Sequence, residues 1–139
     1  MREIRFRAWD KENKFYEYDV QNATVANEHE YEDFDSYFPF KFDGRIVDNH
    51  ILEQFTGVKD KKNQPIFEGD IINVSVDNGW DYLQNEILPV VYSKLQAGFV
   101  CMSDSGMEFR LRSGDAMGYE YEVVGNIHEN PELLEEDND

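Results

Sequence analysis

With 139 residues and a mass of 16.4 kDa, the chain can form one cooperative domain, or two small subdomains that share a core. Its 30 acidic and 13 basic residues give a formal net charge of -17, which repels nucleic-acid phosphates and anionic lipid surfaces. Nucleic acid is therefore disfavoured as a partner. No apolar run approaches the roughly 20 residues that span a bilayer, so we expect no membrane segment.

The cysteine content and the amino terminus both indicate the compartment. Cys101 is the single cysteine, which excludes an internal disulfide and is typical of a reducing environment. The first residues alternate between charged and apolar side chains and lack the continuous apolar stretch of a secretory signal. We predict a cytoplasmic protein.

The first half of the chain predicts antiparallel strands from alternating apolar and charged residues. Residues 2–9 and 15–20 form a hairpin around a turn at 10–13, where Asn13 is expected to take the left-handed conformation. Residues 21–45 form a variable connection whose aromatic residues, at 37, 38 and 40, are expected to dock on this first sheet. Residues 46–58 and 64–67 form a second hairpin, and its turn at 60–63 repeats the chemistry of the first.

The second half predicts a small barrel of short strands with frequent turns. Ile72, Val74 and Val76 share one face of a strand at 71–76, and further strands are expected at 86–94, 98–102, 107–112 and 119–127. At the end, Asn130 and Pro131 have the residue types of a cap and a first helical position. We predict a short helix and an acidic tail over residues 131–139.

Four separated segments carry a family resemblance: residues 2–11 (REIRFRAWDK), 54–61 (QFTGVKDK), 66–71 (IFEGDI) and 123–131 (VVGNIHENP). In this order they resemble the YopX family, whose members are small proteins encoded by phages and prophages of bacteria. The resemblance extends from the first residue to about Leu134, with variable middle sections, and His128 stands where Tyr is expected. It implies an amino-terminal mostly-β subdomain (residues 1–65) followed by an SH3-like β-barrel (66–130). It implies no known activity and no catalytic residue.

No residue pattern in the chain points to catalysis. Cys101 and the histidines at 29, 50 and 128 include no pair at zinc-ligand spacing, and no glycine-rich phosphate-binding loop is present. Ser103 and Ser105 lack a nucleophile motif and fit a turn instead. Acidic pairs arise by chance in so acidic a chain. We therefore predict no catalytic residue, no cofactor and no metal site, and we lean against an enzyme.

Trp80 and Tyr82 are the candidate binding residues. They follow the first barrel strand, and in SH3-like barrels aromatic residues of loops at that end form grooves for extended peptides. The alternative is ordinary packing in the core or anchoring of the loop, because a fold does not fix a function.

Three functions are weighed on these observations. The leading hypothesis is a non-enzymatic phage accessory protein that binds a host or phage protein through a barrel loop or sheet edge. The runner-up is an acidic mimic that occupies the DNA-binding surface of a host protein, and the third and weakest is a metal-dependent hydrolase. Edge strands also make a homo-oligomer possible.

Overall fold

The computed structural model describes residues 3–22, 24–25, 40–42, 45–47, 50–112 and 116–135. These residues are mostly β, as predicted, with helical geometry confined to short 3₁₀ segments. Within these ranges, no helix has the length and apolar character needed to cross a membrane. The chain divides into two compact units, Glu3–Gln54 and a second that begins at Phe55.

The amino-terminal unit has a central strand paired on both sides. Arg7 of this strand lies opposite Tyr18 on one neighbour and opposite Glu53 on the other, both antiparallel. Three short strands form a separate antiparallel sheet, whose side chains, together with residues 37–39, lie outside the described part of the structure. The predicted docking of the aromatic cluster therefore remains a prediction. The strands are β1 (Phe6–Asp10), β2 (Phe15–Tyr18), β3 (Thr24–Val25), β4 (Phe40–Phe42), β5 (Arg45–Val47) and the first half of β6 (His50–Lys59).

The first hairpin corrects one detail of the sequence prediction. Lys14, not Asn13, takes the left-handed conformation, with φ of +62°. Asn13 instead donates its backbone N–H to Asp10 Oδ1 and its side-chain amide to Asp10 Oδ2, at 2.9 and 3.0 Å. These two hydrogen bonds hold Asn13 inside the turn, so the reversal of the chain falls on the next residue.

The carboxy-terminal unit is built on a five-stranded antiparallel sheet in the order β11-β10-β9-β8-β12. Ile72, Val74 and Val76 of β8 are all buried against the core, which confirms the predicted alternation. The strands of this unit are the second half of β6, β7 (Pro65–Phe67), β8 (Asp70–Asp77), β9 (Tyr82–Ser93), β10 (Gly98–Met102), β11 (Glu108–Arg110) and β12 (Glu120–Asn126).

The second unit includes β7 and the part of β6 from Phe55 onwards, and the predicted boundary after residue 65 stays a prediction. Val58 and Ile66 of the β6–β7 hairpin are part of the carboxy-terminal core. The turn of this hairpin also forms two hydrogen bonds with β12. Lys61 N donates to Tyr121 O at 2.9 Å, and Val123 N donates to Asp60 Oδ2 at 3.0 Å. The sheet is a curled half-barrel.

The predicted carboxy-terminal helix is not confirmed. Pro131–Leu134 forms a single 3₁₀ turn with no buried residue, and the Asn130 side chain makes no capping hydrogen bond to it. Asn130 Oδ1 accepts instead from the backbone N–H of Asn126, at 3.2 Å. A segment this short buries too little apolar surface to stabilise a longer helix.

Candidate protein-binding surface

The β8–β9 hairpin presents Trp80 and Tyr82 to solvent. The hairpin turn is fixed by Asn78, whose Oδ1 accepts the backbone N–H groups of Trp80 and Asp81 at 2.9 and 2.8 Å. The Asn78 side-chain amide donates to Met117 O at 2.7 Å, which ties the turn to the segment before β12. The backbone that carries Trp80 is therefore held at several points.

Both aromatic side chains are far more exposed than core residues. Trp80 is 84% exposed and Tyr82 is 66% exposed. Trp80 lies in the turn, whereas Tyr82 is the first residue of β9, because that strand begins four residues earlier than the sequence indicated. Neither residue packs in the core, and their role in binding stays a prediction.

A shallow groove lies on the sheet next to Tyr82. Its volume is about 310 Å³. We call it the hairpin groove, and its lining residues are Ser75, Val76, Asp77, Tyr82, Leu83, Gln84, Gly118 and Glu120. Tyr82 Oη donates to Gln84 Oε1, another lining residue, at 2.9 Å.

Two groove carboxylates have no cationic partner within the described part of the chain. Asp77 and Glu120 are both exposed, and no ion pair joins either of them to any described residue. By contrast, the nearby Asp81 accepts a hydrogen bond from Tyr119 Oη. Burial first, and then this contact, raise the pKa of Tyr119 to about 12, so its phenol stays protonated at neutral pH. The groove therefore carries uncompensated negative charge.

The sequence did not single out Asp77 or Glu120. Acidic residues are so frequent in the chain that neither position stands out. The register of the sheet brings them together, since it places Asp77 opposite Tyr82 and Glu120 opposite Ser75.

A group of ionisable side chains is buried in the amino-terminal unit. Arg7 Nε contacts Glu53 Oε1 at 2.9 Å, and the same oxygen accepts from Tyr16 Oη. His50 Nε2 lies 3.1 Å from Glu17 Oε2, on the opposite side of the central strand, and 3.6 Å from Asp10 Oδ2 of that strand. The Arg7, Glu17, His50 and Glu53 side chains are almost fully inaccessible to solvent.

The remaining reactive side chains are also placed for structure. Cys101 is fully buried, and burial raises the pKa of its thiol to about 12, so it is not a nucleophile at neutral pH. Ser103 and Ser105 contact each other in a turn, as the sequence indicated. Among the described residues, no group of three or more His, Cys, Asp or Glu side chains is arranged to hold a metal ion.

Comparison with known proteins gives the family. The model of the family described as YopX protein matches residues 5–135, and the chain belongs to this family. The crystal structure of protein EF1440 from Enterococcus faecalis is similar, with a TM-score of 0.58 and 25% sequence identity. The match covers 97% of this chain and 100% of that one. No curated protein matches the chain.

Proposed function

We propose that the protein is a non-enzymatic accessory protein of a phage or prophage, which binds a host or phage protein in the bacterial cytoplasm. The observation that carries the proposal is the exposure of Trp80, at 84%, beside Tyr82 on a turn held by Asn78. Aromatic residues are enriched in protein interfaces, where a rigid amphipathic ring contributes contact area at a low cost in conformational entropy.

Further features support this function. As part of the proposal, we assign the curled sheet to the SH3-like class. Loops of such barrels commonly bind extended peptides, which agrees with a binding role for this hairpin. Membership of the YopX family supports a phage or prophage origin, and the similar Enterococcus faecalis protein supports a bacterial setting. The single, buried Cys101 suits a reducing compartment.

Affinity capture with matched variants tests the proposal. The immobilised wild-type chain is exposed to lysate of phage-carrying bacteria alongside a Trp80→Ser/Tyr82→Ser variant. Leu95→Ser is the control, because Leu95 is 88% exposed on a different turn. We expect one stoichiometric protein on the wild type and the control, and its loss from the double variant. Identical captures on all three chains would reject the hairpin as the binding surface.

The net charge of -17 supports a second candidate, the acidic mimic of DNA. A mimic spreads its interaction over many carboxylates, so its binding to a DNA-binding protein weakens steeply with salt and is competed by duplex DNA. Binding that is insensitive to salt would dismiss this function. Self-association through a sheet edge is a separate proposal, which light scattering on the purified chain tests.

A further inference from the structure

We propose that the hairpin groove binds a positively charged, extended peptide segment, with an arginine or lysine side chain held between Asp77 and Glu120 and against the ring of Tyr82. The inference rests on the proposed protein-binding function and adds the chemistry of the partner. It is carried by the juxtaposition of two uncompensated carboxylates with an exposed aromatic ring on one sheet face.

The register places these side chains on one face. β8 lies between β9 and β12 in the sheet. Ser75 and Asp77 are two residues apart on β8, and their cross-strand partners are Glu120 and Tyr82. Successive side chains alternate between faces, so these four share the outer face, while Val74 and Val76 point into the core.

The spacing suits one cationic group. Asp77 and Glu120 are diagonal neighbours, a relation that puts Cα atoms of adjacent strands about 7–8 Å apart. A guanidinium or ammonium group between the two carboxylates can donate hydrogen bonds to both of them. Tyr82 offers its ring face to the same cation, an attraction that strengthens when the cation loses water.

The charge of the groove selects the partner. No described cation pairs with Asp77 or Glu120, and the chain as a whole has a net charge of -17. An acidic segment or a nucleic acid meets repulsion here, whereas a basic segment is attracted before contact. An extended peptide presents every second side chain to a sheet face, so its basic residues are expected at alternate positions.

A synthetic peptide tests the chemistry without knowledge of the natural partner. The probe is an octapeptide of alternating arginine and threonine, and its counterpart has citrulline, which is uncharged, at every arginine position. Trp80 reports binding by fluorescence, because the other tryptophan, Trp9, is buried. Isothermal calorimetry gives the affinity. We expect the arginine peptide to bind at least about tenfold more tightly than the citrulline peptide, and less tightly as salt rises.

Charge-neutral variants locate the site. Asp77→Asn/Glu120→Gln keeps side-chain size and removes two charges, and the control Asp104→Asn/Glu132→Gln removes two charges from exposed positions elsewhere. We expect at least about a tenfold loss of arginine-peptide affinity in the first chain and little change in the second.

Three outcomes would overturn the inference: equal affinity for both peptides, equal loss in both variants, or no binding of the arginine peptide by the wild type. If any of these occurs while capture of a protein still depends on Trp80 and Tyr82, the binding function stands and only the basic character of the partner is rejected.

Discussion

Both units of the chain contain buried carboxylates, and these differ in whether side chains or backbone N–H groups contact them. In the amino-terminal unit, Glu53 contacts the Arg7 guanidinium and Glu17 contacts the His50 ring. In the carboxy-terminal unit, buried Asp60 accepts backbone N–H groups of Lys62 and Gln64 at 2.9 and 2.8 Å. A carboxylate paired with a charged side chain depends on that side chain, whereas one that accepts backbone amides depends on the shape of the turn. Substitutions of the two kinds should therefore act differently, and Asp10, which accepts the backbone N–H groups of Glu12 and Asn13, resembles Asp60 although it lies in the amino-terminal unit.

The largest effect is expected from Arg7→Met. Removing the cation of a buried pair leaves the Glu53 carboxylate buried without its Arg7 contact, which costs about 3–5 kcal/mol in the free energy of unfolding. The matched control is Arg5→Met, because Arg5 contacts Glu3 and Asp19 at the surface, where a pair contributes about 0–1 kcal/mol. Urea unfolding followed by Trp9 fluorescence, in a Trp80→Phe background, measures both. Equal losses of unfolding free energy in the two variants would show that burial does not make the Arg7 contact more stabilising than the surface contacts of Arg5.

Asp60→Ala should have the next largest effect, about 2–3 kcal/mol, because three backbone amides lose a charged acceptor together. Two of these lie within the β6–β7 turn and the third is Val123 N of β12. Asp104→Ala, in an exposed turn, is the control and should stay within about 0.5 kcal/mol of the wild type. Urea unfolding followed by circular dichroism measures the loss. A stability unchanged from the wild type would mean that the turn does not depend on its carboxylate.

Tyr121→Phe should cost about 1 kcal/mol, the usual contribution of one hydrogen bond. Tyr121 is buried, and its Oη accepts the backbone N–H of Arg112 at 3.0 Å. The ring and its packing are kept in the variant, so the loss isolates this hydrogen bond. Thermal unfolding of the two chains side by side measures it. A loss of several kcal/mol would indicate a packing change in place of the hydrogen bond.

The smallest effect is confined to acid pH and concerns Asp10. Burial raises the pKa of this carboxyl, but the hydrogen bonds from Asn13 and Glu12 outweigh burial and hold the pKa below its ordinary value. A carboxyl with a lowered folded-state pKa stabilises the protein above its unfolded pKa and loses that contribution as pH falls through the folded value. Asp10→Asn should therefore flatten the dependence of unfolding free energy on pH below about 4, relative to the wild type. A dependence that is unchanged in the variant would mean that other carboxylates account for it.

The strand positions were largely available from the sequence, for a simple physical reason. Alternation between the two faces of a sheet is a local property of the sequence. It therefore predicts that Ile72, Val74 and Val76 share a buried face without knowledge of the partner strands. Turn residues acted in the same way, and Asp10 and Asp60 both proved to accept backbone amides of their own turns. Where local preference was weak, as after Asn130, the predicted helix reduced to one 3₁₀ turn.

The candidate surface needed the tertiary structure. Sequence alone marked Trp80 and Tyr82 as residues of interest, but it could not separate an exposed aromatic residue from a buried one. The carboxylates of the groove come from strands about 40 residues apart in the chain, and only hydrogen-bond register decides which of many acidic residues become neighbours.

The sequence by itself determined the mostly-β architecture and the turn positions, because these depend on short-range patterning. It also determined the family, because four short motifs occur in the order typical of that family. Only the tertiary structure decided that the division between the units falls within β6, that the β6–β7 turn contacts β12, and that Asp77 and Glu120 line one groove. These features depend on pairing between strands that are distant in the chain. The free energy of such pairing depends on both strands, so it cannot be predicted from either segment alone.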